Sequence, residues 1–400
     1  MPLKGMDGAR GDHTTDRNRR NKLMSRHLAW LFLAVGMLTV NAPLQAKTYE
    51  VGGCKTGAGY VNFPTISAAV AGVPAGAKIQ VCPGVYPEQV TITQPLTLEG
   101  ITFNNASRAA ITANPGGTFA PNVSGLYGNF YAQVLVQNIN PPGPVDIIGI
   151  TVDGTGITFD CSGNEFLAGI FYASGTSGTV NEVTGRNNQS NGCGYSIWVE
   201  NGAATHESVT VENNSIHQGG IVVLAGQNPP TLTATVKGNF VASTLQPYTF
   251  NAYQAIAVDA ADGSITGNVV TGGSYGIEVG NHNFFPGGGT VNVSQNTIAD
   301  MPFGFATYLV GSNGTITSNK ISNVDVSFSF LYPNNPATIE SNTTMNSVRA
   351  VLVASCSNDW TMKNNVFNDS QVTFWGIPSP ITGNSLYNID TIVTGSCVSP

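Results

Sequence analysis

Four residues of this chain have types and spacings suited to acid–base chemistry: Glu200, Asp259, Glu278 and His282. The three carboxylates close or interrupt short apolar segments, Ser196-Ile197-Trp198-Val199-Glu200, Ala255-Ile256-Ala257-Val258-Asp259 and Gly276-Ile277-Glu278-Val279. Read as strands, whose alternate residues face opposite sides, these segments send Ile and Val inward and the carboxylates outward. Aligning them puts Phe171, Trp198 and Glu278 in one outward column, and Glu200, Asp259, Tyr308 and Trp375 in the column two residues on. Asp259 and Glu278 are then one repeat and one column apart, a separation of roughly 5–9 Å that suits the paired carboxylates of glycoside hydrolysis. Glu200 falls about 10 Å from Asp259, with Leu224 between them. His282 follows Glu278 in the next turn, where it could transfer a proton. Phe171, Trp198, Tyr308 and Trp375 offer flat faces to pyranose rings, so the pattern reads as a sugar-binding strip on one lateral face. The plainer reading of the same residues is a solvated surface with scattered charges and rings.

Other clusters carry less. Asp153, Asp160 and Glu165 gather oxygen ligands in a glycine-rich stretch that could hold calcium, although without the spacing of an EF-hand. No other cofactor is implied. Six cysteines (Cys54, Cys82, Cys161, Cys193, Cys356, Cys397) form an even set, and their spacing favours the disulfide pairs 54–82, 161–193 and 356–397 among fifteen arrangements. No Cys-x-x-Cys occurs, which argues against zinc.

The elements that must hold these residues are declared by a repeat. The pattern apolar-x-x-Asn-x-apolar recurs on Asn214, Asn239, Asn268, Asn296, Asn319, Asn342, Asn365 and Asn384, at spacings of 25, 29, 28, 23, 23, 23 and 19 residues; only Thr344 breaks the apolar rule. Such a period makes each repeat one unit that needs its neighbours to bury a core. Each repeat also holds a second apolar strand upstream of its asparagine, and Gly, Asn, Ser and Pro clusters separate the strands. The pattern predicts an all-β solenoid, a parallel β-helix of three strands per coil and about 23 residues. The asparagines belong at corners, where Asn tolerates left-handed backbone and stacked amides can bond as a ladder. One short helix is predicted near Phe63 to Gly72, with Thr65 at its N-cap, covering the first coil.

Charge and composition exclude several functions. At 41% hydrophobic and 10% charged the chain can bury a long core. Residues 1–46 hold seven of the 16 Lys and Arg and three of the 23 Asp and Glu, so residues 47–400 carry 9 − 20 = −11. An acidic body with three arginines (Arg108, Arg186, Arg349) is a poor partner for nucleic acid. The basic stretch Arg17 to Arg26, the apolar run Leu28 to Val40 and the small-residue site at Leu44-Gln45-Ala46 read as a secretory signal, with residues 1–23 an upstream mis-start. That run is short for a membrane span. The organisation expected is a signal over 1–46, a cap and first coil over 47–100, and coils with a disulfide-clipped tail over 101–400.

Phe63-Pro-Thr-Ile-Ser-Ala-Ala-Val70, Ile79-Gln-Val-Cys-Pro-Gly-Val-Tyr-Pro-Glu-Gln-Val90 and Leu96-Thr-Leu-Glu-Gly100 resemble the opening of the pectin lyase-like right-handed parallel β-helix superfamily, in its pectinesterase-like and NosD-like branches. The resemblance implies the fold and hardly constrains activity, since members include polysaccharide lyases, esterases, epimerases, hydrolases and non-catalytic secreted proteins. The Gln-Asp-Thr-Leu segment of pectin methylesterases and the Asn-Thr-Asp and Gly-His-Gly segments of polygalacturonases are absent. Two expectations follow. One is a secreted or periplasmic monomer, not inserted in a membrane, that binds a polysaccharide on its lateral face, with cleavage or epimerisation there as the enzymatic form of the same expectation. The other is a non-catalytic surface protein of the same shape. Export of the full chain from a secreting host, followed by N-terminal sequencing, is expected to read Lys47-Thr48 as the first residues.

Overall fold

The computed structural model describes residues 47–393 except 105–107, 114–118, 158–163, 189–192, 227–228, 244–253, 281–288, 311–312, 332–336, 354–359, 370, 374–380 and 390. Those residues form a parallel β-helix. One face is a sheet of fourteen strands among the described residues, running from Tyr60–Phe63 and Thr48–Val51 through Ala77–Val81 and Leu96–Gly100 to Ile381–Thr382. The strands of the other two faces are joined in a second sheet: short strands such as Thr184–Arg186 and Ser215–His217, and longer ones such as Glu165–Tyr172, Gly194–Asn201, Ile221–Ala225, Gln254–Asp259 and Tyr275–Gly280. We call these the first, second and third faces in the order the chain visits them after each coil begins.

Inward rows explain why these residues form these strands. On the third face Ile197, Ile221, Ile256 and Ile277 lie one above another, as do Val199, Val223, Val258 and Val279. On the first face Val180, Val211, Val236, Ile265, Val293, Ile316, Ile339 and Met362 form a third row. All are essentially inaccessible to water, and each such aliphatic side chain contributes about 1.5–3 kcal/mol by its burial. Thr344, the exception to the repeat, is buried in the second-face row, where its hydroxyl donates to the carboxylate of Asp369.

The eight asparagines make the predicted ladder. In the interior of the run each amide does the same work: Asn268 Nδ2 donates to Val236 O at 3.0 Å and to Asn296 Oδ1 at 2.9 Å, while its Oδ1 accepts from the backbone N and Nδ2 of Asn239, both at 2.9 Å. The chain of amides continues to Asn384. The left-handed backbone, expected at these asparagines, instead falls on the residue before each one: Asn213, Gly238, Gly267, Gln295, Ser318, Ser341, Asn364 and Gly383 have φ between 54° and 69°. The preceding residue turns the corner, which aims the asparagine side chain along the helix axis.

The cap is as expected and somewhat larger. The helix Ile66–Gly72 is capped by Thr65, whose Oγ1 accepts from Ala68 N at 3.1 Å. Glu88 adds a carboxylate at the same end, accepting from Ile66 N and Ser67 N, each at 2.9 Å. Two strands before the helix extend the first face, and Cys54 and Cys82 form the predicted disulfide beside them. Cys193 is also disulfide-bonded; Cys161, Cys356 and Cys397 lie outside the described residues, as do residues 1–46. Among the described residues no helix is long and apolar enough to cross a membrane.

Replacing Asn268 by leucine strands an N–H and a carbonyl of neighbouring coils in the interior, at a cost of about 3 kcal/mol or more. Asn384→Leu, at the partly exposed end of the ladder, is expected to cost about 1 kcal/mol. Urea unfolding midpoints of the two variants check this; equal losses would contradict it.

Candidate functional site

An insertion builds the wall of a cleft on the third face. The strand Asn129–Val136 is preceded by an antiparallel partner, Val123–Ser124, with Val123 opposite Phe130 and Ser124 opposite Asn129. The turn between them reaches across several coils. Its anchor is Glu200, whose carboxylate accepts from Leu126 N at 3.2 and 3.1 Å and from Trp198 Nε1 at 3.2 Å. Gly125 permits that approach, because a Cβ there would lie 2.8 Å from Glu200 Oε2. Burial pushes the Glu200 carboxyl above the usual range, and the Leu126 and Trp198 N–H groups pull it back. Glu200, expected as a catalytic candidate, is therefore committed to holding the hairpin.

The hairpin delivers Tyr127 edge-on to Trp198, with ring centroids 6.0 Å apart at 88°. Between them and the sheet lies a cleft of about 130 Å³, below the range of about 300–1,000 Å³ common for drug-sized ligands and on the scale of a single sugar ring. Its floor is Trp198, Val222 and Ala257; Tyr127 and Phe166 form a wall; Tyr195, Gln254 and Asp259 close the far end. The cleft exists because the outward column loses bulk after Trp198: Val222, then Ala257, then Glu278 stand in successive coils.

Asp259 and Glu278 meet at that end in the diagonal arrangement read from the sequence. Asp259 pairs with Gly280 and Ala257 with Glu278, so the two acids are one coil and two residues apart with only small neighbours between them. Leu224 separates Glu200 from Asp259, also as expected. Asp259 and Glu278 are 6% and 1% exposed. Burial, and then the neighbouring Glu278, holds the Asp259 carboxyl well above the carboxylate range. Burial pushes Glu278 up to about 7, against a lowering hydrogen bond from Gln254. Asp259 Oδ1 is buried without a hydrogen-bond partner. Tyr195 Oη donates to Gln254 Oε1 at 3.0 Å, completing a chain from Tyr195 through Gln254 to Glu278. The phenols of Tyr127 and Tyr195 are both held protonated, by burial first and then by the two acids. Two groups whose environments keep a proton between them can donate and accept it in turn.

Several sequence expectations are corrected here. Phe171 points outward but is fully buried, packed on Phe130 at 4.6 Å under the hairpin strand, so no sugar ring reaches it. Tyr308 stands in the Glu278 column, not in that of Glu200 and Asp259. An irregularity between Met301 and Phe305 shifts the strand by two residues relative to the repeat. Thr307 then takes the inward position, where Oγ1 donates to Ser327 O at 2.9 Å, while Phe305 stacks outside on Tyr275 at 5.5 Å. His282 and Trp375 lie outside the described residues. Tyr127, Tyr195 and Gln254 were not legible as site residues: the first arrives on an insertion outside the repeat, and the other two precede the apolar core of their strands.

Of the three calcium candidates Asp153 and Glu165 are described, and each carboxylate is engaged by the protein's own groups. Asp153 accepts from Arg186 Nε at 2.8 Å, Thr155 Oγ1 at 2.6 Å and Asn187 Nδ2 at 3.1 Å. Burial raises its carboxyl, but the Thr155 and Asn187 hydrogen bonds and the Arg186 charge together hold it below the ordinary range. A calcium ion would have to displace that guanidinium. Glu165 accepts from Tyr131 Oη at 2.9 Å, and Asp160 lies outside the described residues. Among the described residues the only trio of ligand atoms close enough for a metal is Glu50, Cys54 and Cys82, whose sulfurs are joined in the disulfide.

The family described as "right handed beta helix region" matches residues 234–390. The chain has the fold of the pectin lyase-like right-handed β-helix proteins. A lacto-N-biosidase of family GH136 from Eubacterium ramulus is similar over 94% of this chain and 70% of its own, at 10% identity and a TM-score of 0.57. A polygalacturonase from Erwinia carotovora ssp. carotovora is similar over 88% of this chain and 96% of its own, at 11% identity and a TM-score of 0.52. A family 28 exopolygalacturonase from Yersinia enterocolitica covers 83% and 75% at 12% identity and a TM-score of 0.50. These likenesses define the fold. No characterised protein sequence matches the chain at a significant level.

A carboxyl raised from 4.5 to about 7 by folding adds stability below its unfolded value and loses it as pH rises through the folded one. Glu207, also pushed up to about 7 by burial, acts in the same sense. Thermal stability is therefore expected to fall between about pH 4.5 and 7. Glu278→Gln should flatten that slope, and an unchanged slope in melting curves would place the proton elsewhere.

Proposed function

We propose that this protein binds a carbohydrate in the Trp198–Tyr127 cleft and hydrolyses a glycosidic bond there, using Asp259 and Glu278. The observation that carries the reading is a buried, diagonally placed pair of carboxyls, Asp259 lining the closed end of an aromatic-walled cleft and Glu278 beside it. Trp198 and Tyr127 supply flat apolar surface for a sugar ring. Asp259, whose proton is held on by burial and by the neighbouring Glu278, gives that proton to the leaving glycosidic oxygen as the C–O bond breaks. Glu278, near its titration point, takes a proton from the water that attacks the sugar carbon. Gln254, bonded to both Tyr195 and Glu278, fixes the base in place. Fold-level likeness to glycosidases is consistent with this chemistry and adds a prior only. The setting is extracellular or periplasmic, in keeping with the secretory reading of residues 1–46.

One observation favours a second reading. Both acids are almost wholly inaccessible, which suits a rigid glycan-binding or surface protein with no turnover as well as an enzyme whose site opens to substrate. Reducing-end release from a panel of polysaccharides separates the two. Asp259→Asn and Glu278→Gln are each expected to lower the rate by about 10²–10⁴-fold while leaving binding in place. Binding without release by the wild type, equal in both variants, would mean a non-catalytic protein.

A further inference from the structure

We infer that the cleft takes a sugar unit that bears no carboxylate and turns uronic acids away. The inference rests on the carbohydrate reading above and concerns which class of sugar that site accepts. Between Arg108 and Lys320 the sequence contains two cationic residues of the Lys/Arg type, Arg186 and Lys237. Neither faces the cleft. Arg186 stands on the second face and is paired with Asp153 at 2.8 Å. Lys237 stands on the first face and is paired with Glu212 at 2.8 Å.

The third-face strands from Asn129–Val136 to Tyr275–Gly280 therefore present no guanidinium or ammonium to a ligand, and neither does the hairpin. The stretches 244–253 and 281–288, adjoining this face in sequence, contain no Lys or Arg either. A uronate carboxylate brought against Trp198 would meet Asp259, the acid that lines the cleft, and no guanidinium or ammonium from these strands to balance it. Recognition of a carboxylate ordinarily relies on a guanidinium fork or a lysine, and taking a carboxylate out of water without one is costly.

What the cleft does offer is an acceptor. Asp259 Oδ1 is buried at the far end without a partner, and an unmatched buried polar atom is costly until a donor arrives. A hydroxyl or an acetamido N–H of a neutral sugar supplies one. The indole of Trp198 already spends its N–H on Glu200 at 3.2 Å, so it offers the sugar its ring face and no donor. The cleft thus offers apolar surface, neutral hydroxyl and amide groups and one unmatched carboxyl oxygen, a set matched to a ligand rich in hydroxyls and free of negative charge.

The test is binding of the full exported chain to oligosaccharides of equal length in three classes: neutral hexose, N-acetylated hexosamine and oligogalacturonate, each with and without calcium. At least one uncharged class is expected to bind, with oligogalacturonate about tenfold weaker or more. Val222→Arg, which sets a guanidinium in the cleft floor, should narrow that gap by raising oligogalacturonate affinity, whereas a loss of fold would lower affinity for all three classes and show in melting curves. Trp198→Phe, which keeps the apolar floor, locates binding to the cleft by weakening every class together. Oligogalacturonate bound through the cleft as tightly as the neutral probes, with or without calcium, would overturn the selectivity while leaving the carbohydrate reading intact. No binding in any class would overturn that reading and the selectivity with it.

Discussion

Everything in this protein depends on the vertical registry of its coils. In a parallel β-helix each residue has one neighbour above and one below, about 4.8 Å away, so the identity of a column is set by the alignment of whole coils. Backbone hydrogen bonds alone would tolerate a slip that carries an inward row outward. The asparagine ladder forbids it. Each amide bonds to the coil on either side through both its donor and its acceptor, and a slipped coil would leave these buried groups unpaired. With registry fixed, Asp259 and Glu278 are necessarily diagonal neighbours, and no dedicated contact is needed to bring them together.

That dependence explains what could be read in advance. The ladder, the Ile and Val rows, the helix with its Thr65 cap, the Cys54–Cys82 bond and the adjacency of Asp259 to Glu278 all belong to the repeat or to short-range signals. Tyr308 could not be placed because Phe305 imitates the aliphatic row while Thr307, a hydroxyl in the core, holds the real inward position. Exposure was the other gap. Alternation along a strand tells which side a residue faces, but whether that side meets solvent depends on what lies over it. Phe171 is outward and dry, because Phe130 arrives from another coil.

The acids themselves show how a solenoid can hold charge in a dry place. Glu200 is solved by hydrogen bonds from the hairpin; Asp259 and Glu278 are solved by keeping protons. Removing the partner from the first would strand a charge, whereas the second pair adjusts its own charge to its surroundings. Two nearby carboxylates of the same face thereby have different kinds of work, one mechanical and one chemical. The distinction comes from their neighbours, since the strand geometry that presents them is the same.

The hairpin through Val123 and Phe130 is the part of the cleft not built by the repeat, and it is fastened by Glu200, by Leu126 over Gly202 and Gly226, and by Tyr127 and Phe130 against Trp198 and Phe171. Asp259 and Glu278 stand on coils of the repeat itself. Such a division separates the reacting groups from the part that decides what fits between them. Evolution, or a designer, can recut the insertion's length and side chains as one would change the jaw of a vice, leaving the bench to which it is bolted untouched.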